Sequence, residues 1–417
     1  MTSAAKVRVA YLVGDLGAGG AERQVVLLAS ALDRSRFEPT LVTWRDRVFY
    51  RREIEAARIP ILRVEKGGRF DAAFALRLRA ALLAGGFDVW HGWLEAGSFW
   101  ARVLSVGLGR RKPVVLASFR CPEIPRGYRW LEPLLQRRTD ATLANGEAVR
   151  AALVKRAGAD PARVLVSENA VDLDRFFRAR RPSSEERDAA RRELGLDLGR
   201  DGALPVVGLV GRISPEKDPL GFLRAAAAAT RRGRPFVAVL AGAVADESLA
   251  ARARSLAAEL GLAPTTRFLA PVAAVERLYD AVDALALPSL YEGFPNVLVE
   301  AMAAGLPIAA SAVEASASAL RDYPRARFAA IGAPDALEGA IDGALRTGEA
   351  DPAARRALLE RFSPARMARD AEALYERWVA GRRGAYSLAG GRSSSAGGFS
   401  SEPRYASRLR SAHSARP

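Results

Sequence analysis

The chain is poor in the side chains that build metal and redox centres. Among its 417 residues there is one cysteine, Cys121, and there are two histidines, His91 and His413. A lone cysteine closes no intramolecular disulfide and builds no cysteine cluster. Two imidazoles are too few for a zinc site, so a zinc enzyme is not expected. Long apolar runs are missing as well. None reaches the ~18 uncharged residues that a membrane-spanning helix needs. The apolar run Val9–Val13 near the N-terminus is too short for a signal-peptide core and reads as a first strand. These absences point to a soluble or membrane-surface chain inside the cell.

What is present is apolar and basic. Hydrophobic residues make up 49% of the chain, enough for two domains with cores of their own. The net charge of +16 is unevenly spread. Residues 1–180 hold 31 Lys and Arg against 19 Asp and Glu, residues 181–381 hold 25 against 27, and residues 382–417 hold 7 against 1. A basic first half suits an anionic partner such as a membrane, a nucleic acid or a phosphorylated acceptor, although an Arg-rich and Ala-rich composition alone would give the same excess. Nucleic acid is the weakest of these, because the basic half shows no stacking platform or recognised motif.

Short apolar runs alternate with longer helix-permissive segments. "VRVAYLV", "PTLVTW", "IPILRV", "FDVWH", "PVVLASF", "DATLAN" and "RVLVSE" read as strands, and the pattern restarts after residue 204 with "PVVGLVG", "PFVAVLAG", "TRFLA", "DALALPS" and "LPIAAS". Such alternation predicts two α/β domains, each a doubly wound parallel sheet. The charged stretch between them, 181–204, reads as a connector with an exposed helix. Ligands of such sheets bind beyond the carboxyl ends of the strands, so the expected site is the cleft where the two domains face. The Ser-, Gly- and Arg-rich segment 382–417 cannot bury enough surface to order itself.

Three segments carry candidate chemistry. In "VGDLGAGGAERQVV" a strand ends at a glycine turn and a helix opens near Gly20, so amides around Gly19 and Gly20 suit an anion. It is not a dinucleotide fingerprint, because Glu22 stands where the last glycine is required. In "VGLVGRISPEKDP" a strand ends at Gly211 and presents Arg212 and Lys217, a fork and a point charge that together fit a diphosphate. In "PSLYEGFPNVLVEAMAAGLPIAAS" the loop carries Glu292, a helix opens around Phe294 and Pro295, and Glu300 is the only charge between Gly293 and Val313. A buried carboxylate needs hydrogen-bond donors, and sugar hydroxyls are donors. The structural alternatives are a tight turn, solvated surface cations and a capped or paired glutamate.

Read together, these segments resemble glycosyltransferase family 4, the retaining nucleotide-sugar enzymes with two Rossmann-like domains in the GT-B arrangement. "EGFPNVLVE" is similar to the family's Glu-x7-Glu motif, "GRISPEK" to its Gly-Arg-x4-Lys segment, "GAGGAER" to its N-terminal glycine loop, and "ENAVDLDRF" to its linker signature. The resemblance covers roughly residues 7–380. It implies an acceptor-side domain at 1–180, a connector at 181–204, a donor-binding domain at 205–363, a helix at 364–381 returning to the first domain, and a basic tail at 382–417. It also implies that Glu300 holds the nucleotide ribose and Glu292 contacts the donor sugar. Arg212 and Lys217 would neutralise the departing diphosphate, backbone N–H groups from Phe294 to Val297 would add to that cradle, and Gly19, Gly20, Gly211, Gly293, Phe294, Pro295, Asn296 and Val297 would line the donor. No metal and no resident cofactor is implied, and "DLD" at Asp172–Asp174 belongs to the linker signature.

The chain departs from the pattern in places. Arg120 stands where many relatives place a histidine near the transferred sugar, so it becomes a candidate for acceptor phosphate or carboxylate. Ala170 replaces a linker glycine, and 311–320 lacks a double glycine. His91 closes a strand and is open to two roles, substrate contact or structural hydrogen bond, while Glu22 is a further acceptor or sugar candidate. The expected partners are a nucleoside-diphosphate sugar and a saccharide or lipid-linked acceptor. An epimerase of the same architecture and a non-catalytic sugar-nucleotide binder remain alternative readings. Finally, "RGYRWLEPLLQRRTD" at 126–140 mixes Trp130, Leu131, Leu134 and Leu135 with arginines. It fits either an anionic bilayer surface or packing on the sheet, and Pro133 either breaks or starts its helix.

Overall fold

The computed structural model describes residues 5–17, 19–68, 71, 73–109, 112–121, 130–196, 204–272 and 274–390. Seven parallel strands form the first sheet: β1 (Val7–Leu12), β2 (Phe37–Thr43), β3 (Ile61–Arg63), β4 (Val89–Trp93), β5 (Val114–Phe119), β6 (Ala141–Ala144) and β7 (Val164–Val166). Their order is β3-β2-β1-β4-β5-β6-β7. Six form the second: β8 (Val206–Val210), β9 (Val237–Ala241), β10 (Thr266–Leu269), β11 (Ala284–Leu287), β12 (Ile308–Ser311) and β13 (Ala326–Ala329), in the order β10-β9-β8-β11-β12-β13. Strands such as β5, β8, β9 and β11 are buried on both faces, which is why they read as unbroken apolar runs. β13 escaped the sequence reading because it is four residues long, half exposed and carries Arg327.

In each sheet the order reverses beside the first strand, between β1 and β4 and between β8 and β11. Crevices at such switch points are where open parallel sheets take ligands. The glycine loop follows β1, and the Arg212 and Glu292 segments follow β8 and β11.

Two features differ from the expected division of the chain. The helix Ser184–Glu193, expected to stand exposed, keeps most of its surface in solvent but docks one edge on the second domain: Ala190 is fully buried, and Arg191 donates to the Ala281 carbonyl and pairs with Asp283, both at 2.9 Å. Its start is fixed by a capping box between Ser183 and Glu186. The last helix runs Pro364–Gly390 rather than to 381 and returns to the first domain, burying Met367, Ala368, Leu374 and Tyr375 in that domain's core. The remainder of the basic tail, with His413, lies outside the described residues.

The chain crosses between domains twice, and the crossings are bonded to each other. The Val171 amide donates to the Phe362 carbonyl at 2.8 Å, and Arg361 pairs with Glu168 at 2.7 Å. Within the linker signature, Asp172 caps the short helix Leu173–Phe176, which places Phe176 in the core. That capping role is what the "DLD" segment does.

Candidate functional site

The site is assembled at the second domain's switch point and faced by the first. At the end of β8, Gly211 has φ +144, a conformation other residues rarely adopt, and this turn releases Arg212 toward solvent. A single turn of 3-10 helix, Pro215–Lys217, then aims Lys217 back beneath the β11 loop. Lys217 Nζ meets Glu292 Oε1 at 2.5 Å, and the Ser289 hydroxyl donates to the same oxygen at 2.6 Å. Lys217 and Glu292 are largely shielded, whereas the Arg212 side chain is 68% exposed and, among the described residues, reaches only Glu216, at 3.2 Å. The two cations therefore do not form one clamp here, because each rests on its own carboxylate.

After Glu292 the chain turns through Gly293, Phe294 and Pro295 into the helix Asn296–Ala303. The Phe294 ring packs on Phe362 rather than facing outward. The Asn296 amide is taken by the Phe294 carbonyl at 3.1 Å, while among the described residues the amides of Phe294 and Val297 find no acceptor. Those free N–H groups at a helix start form the positive end of the site.

Glu300 sits one turn deeper and is nearly buried. Its Oε2 accepts from the Tyr279 hydroxyl at 2.8 Å, and burial together with this carboxylate pushes the Tyr279 phenol well above its ordinary range. Its Oε1 lies 3.2 Å from Arg23 Nη1, on the helix that follows the glycine loop of the other domain. The Arg23 guanidinium also lies 4.8 Å from the centre of the Phe176 ring. Sequence reasoning singled out Glu22 in this stretch and passed over Arg23. Spacing alone could not pair residues 277 apart.

The domains meet closely around this point. Asn169 Nδ2 donates to Asn296 Oδ1 at 2.8 Å. A Cβ on Gly293 would stand 2.7 Å from the Arg120 carbonyl oxygen, so only glycine permits this approach. A Cβ on Gly20 would lie 3.0 Å from Asn296 Nδ2, which puts the glycine loop against the helix start; Gly19 is held there by Tyr50, whose hydroxyl donates to its carbonyl. The Glu22 carboxyl folds back over Gly19, and burial raises its pKa above the ordinary range. A cavity of about 510 Å³ opens beside Glu292, walled by Tyr291 and, from the first domain, Ala148, Ala152, Lys155 and Arg156.

His91 does not face the cleft. It lies within β4, fully buried, with Nδ1 2.8 Å from the Tyr375 hydroxyl and Nε2 2.7 Å from the Ser118 hydroxyl. Tyr375 in turn meets the Tyr11 hydroxyl at 2.9 Å. With both ring nitrogens engaged and no exposed surface, the imidazole has no room for a substrate, and the structural role is the one it fills. Burial, reinforced by the nearby charge of Arg120, lowers its pKa to about 3.

The arrangement pairs carboxylates with cations that a ligand can split. An anion would compete with Glu292 for Lys217, and hydroxyls would compete with Arg23 and Tyr279 for Glu300. Among the described residues, no cluster of three or more His, Cys, Asp or Glu side chains is placed to hold a metal ion.

Comparison with known proteins agrees with this geometry. Residues 18–175 match the family model described as Glycosyltransferase Family 4, and residues 191–358 match the model described as Glycosyl transferases group 1. The chain is 34% identical over 270 residues to a D-inositol 3-phosphate glycosyltransferase of Salinispora arenicola, covering 60% of this chain and 59% of that one. A protein of the same description from Mycolicibacterium paratuberculosis is 34% identical over 314 residues, covering 71% and 66%. The chain thus spans less than two thirds of the length of these curated relatives. In fold it is similar to Anabaena HepE in complex with UDP and glucose (TM-score 0.73, 19% identity, 88% of this chain and 99% of that one). It is similar also to a glycosyltransferase of Rickettsia africae (TM-score 0.74, 18% identity, 89% and 98%). Two parallel-sheet domains in the GT-B arrangement, the paired glutamates at the second switch point and the two models that divide the chain between them lead to one conclusion: the chain belongs to glycosyltransferase family 4.

Proposed function

We propose that this protein is a retaining glycosyltransferase that moves a sugar from a nucleoside-diphosphate sugar to a saccharide or lipid-linked acceptor in cell-envelope assembly, on the cytoplasmic side of the membrane. The observation that carries this reading is the Glu292–Lys217 pair beside the buried Glu300 at the second switch point. A diphosphate that takes Lys217 releases Glu292, which then accepts hydrogen bonds from hydroxyls of the sugar. The ribose hydroxyls donate to Glu300. As the bond between the anomeric carbon and the phosphate oxygen breaks, charge grows on the leaving diphosphate. Lys217, the amides of Phe294 and Val297, and Arg212 swung in from Glu216 stabilise that charge where it develops. The acceptor enters through the cavity beside Glu292; its hydroxyl oxygen bonds to the anomeric carbon on the face the diphosphate leaves, and the hydroxyl proton passes to the departing phosphate oxygen.

The membrane side of the reading rests on the segment after the first sheet's β5. In the helix Glu132–Gln136 the polar residues face inward: Glu132 is held by Arg102 in a buried two-pronged pair at 2.5 and 3.0 Å, and Gln136 bonds to both Glu132 and Thr142. Trp130 is 89% exposed, and Leu131 and Leu134 are exposed beside it, with Arg137 and Arg138 following. Among the described residues no helix is long and apolar enough to cross a membrane, and this patch supplies a surface contact instead.

A radiolabelled-donor assay tests the reading. UDP-sugars come first, because the Anabaena neighbour was crystallised with UDP. Transfer to envelope lipid extract is expected, unchanged in excess EDTA, and Glu300→Gln weakens nucleoside-diphosphate binding by about 1.5–3 kcal/mol in a folded protein. Absence of transfer from every nucleotide sugar tried, with nucleotide still bound, would leave only a binding protein.

A further inference from the structure

Among the described residues, Arg120 has no carboxylate partner. It follows β5 at the seam between the domains, deep in the protein with part of its surface open. Its Nη1 donates to Asn169 Oδ1 at 2.7 Å and, at 3.3 Å, to the Ser167 carbonyl. The guanidinium stacks on Trp93, 4.2 Å from the ring centre. All of these partners are neutral. Among the described residues no carboxylate pairs with it, Nη2 has no acceptor, and Nε is buried without one. Some inward arginines of this chain take carboxylates, as Arg102 takes Glu132, Arg191 takes Asp283 and Arg23 takes Glu300; buried Arg325 and Arg355 are held by backbone carbonyls instead, and Arg120 differs from those two in lying at the seam beside the Glu292 loop. Burial pulls the Arg120 guanidinium down to about 9, which still leaves it charged at neutral pH.

An unpaired buried charge is costly, and an anion that reaches it is bound the more favourably for that. The stacked, tethered guanidinium is fixed in orientation, and what it leaves without an acceptor is the edge formed by the buried Nε–H and by Nη2–H. Two parallel donors on one edge match two oxygens of a carboxylate or phosphate. The edge lies at the seam where Asn169 bonds to Asn296 and the Arg120 carbonyl touches Gly293, next to the loop that carries Glu292. We propose that Arg120 is a specificity-determining residue whose missing counter-ion is a carboxylate or phosphate carried by a substrate, so that the enzyme handles an acidic sugar or a phosphorylated acceptor. This rests on the transferase reading for the word substrate, and the anion site itself is tested separately.

Calorimetric titration of the full chain decides it, using pairs that differ in one charged group. UDP-glucose against UDP-glucuronate reads a donor-side anion, and glucose against glucose 6-phosphate reads an acceptor-side one. The charged member of at least one pair is expected to bind about tenfold tighter or more. Arg120→Gln should abolish that preference and leave the affinity for UDP unchanged. Arg120→Lys, which keeps the charge and loses the two-donor edge, should lower the preference without removing it, and it covers the case in which Arg120→Gln fails to fold. The pair that responds identifies where the anion sits. Equal affinity within both pairs in the wild type, or a preference that survives in either substituted protein at full strength, overturns the proposal. Failure of UDP and other nucleoside diphosphates to bind would count against the transferase reading, while the glucose 6-phosphate arm still reports on Arg120.

Discussion

At the scale of single residues, burial decides which charged and polar groups are free to act. His91, Tyr375, Tyr11 and Ser118 form a chain of hydrogen bonds with no exit to solvent, so the imidazole is kept neutral. Its pKa falls from 6.5 to about 3 on folding. The folded state therefore refuses a proton that the unfolded chain accepts. The resulting stability is complete above pH 6.5 and is lost progressively as pH falls from there toward 3. At 1.36 kcal/mol per pH unit the loss by pH 5 is about 2 kcal/mol. Urea denaturation at pH 7 and pH 5 should show that loss in the wild type, and His91→Gln should be less stable at pH 7 yet lose much less on acidification. An identical loss in both proteins would assign the acid sensitivity elsewhere. The same scale shows the limits of reading residues in order. Glu300 could be picked out as a lone charge in an apolar run, and Lys217 and Glu292 as cleft residues. That Lys217 rests on Glu292, that Arg23 reaches Glu300, and that His91 points inward depend on contacts between residues 75, 277 and 284 positions apart.

At the scale of elements, the strands were legible because burial on both faces leaves a continuous apolar signature, and only short, half-exposed β13 was missed. Helix faces were less legible. Helical spacing puts Trp130, Leu131, Leu134 and Leu135 on one face; the structure buries Leu135 and turns Trp130, Leu131 and Leu134 outward, because the Arg102–Glu132 pair claims the inner side. Pro133 falls in the first turn and starts this helix, as the sequence allowed. Tyr128, Arg126 and Arg129 lie outside the described residues. An outward apolar face bordered by arginines has a measurable consequence. The protein should co-sediment with anionic vesicles and not with neutral ones, less so at high salt, each basic residue at the surface adding about 1 kcal/mol. Trp130→Ser with Leu134→Ser should abolish sedimentation while stability changes by no more than about 0.5 kcal/mol, since neither side chain is buried. Equal recovery in the supernatant with both lipids removes the membrane contact and leaves the patch without this partner.

At the scale of the whole molecule, the first domain is not made only of the first half of the chain. Its core contains Met367, Ala368, Ala371, Leu374, Tyr375 and Val379, delivered by the last described helix, and Arg382 pairs with Asp140. The second domain is continuous and lies between the two crossings, as an insertion. During synthesis the usual order, in which the N-terminal domain folds first, is therefore unavailable. A ribosome that has released residues up to 363 holds a second domain with all its strands and a first domain still lacking one wall. Pulse proteolysis of the chain truncated at 363 is expected to spare a fragment containing β8–β13 and to digest the seven-stranded half; a protected N-terminal fragment would show that half able to close alone. The seven-stranded domain would then be the last part of the nascent protein to exist, appearing only after the six-stranded one is already complete.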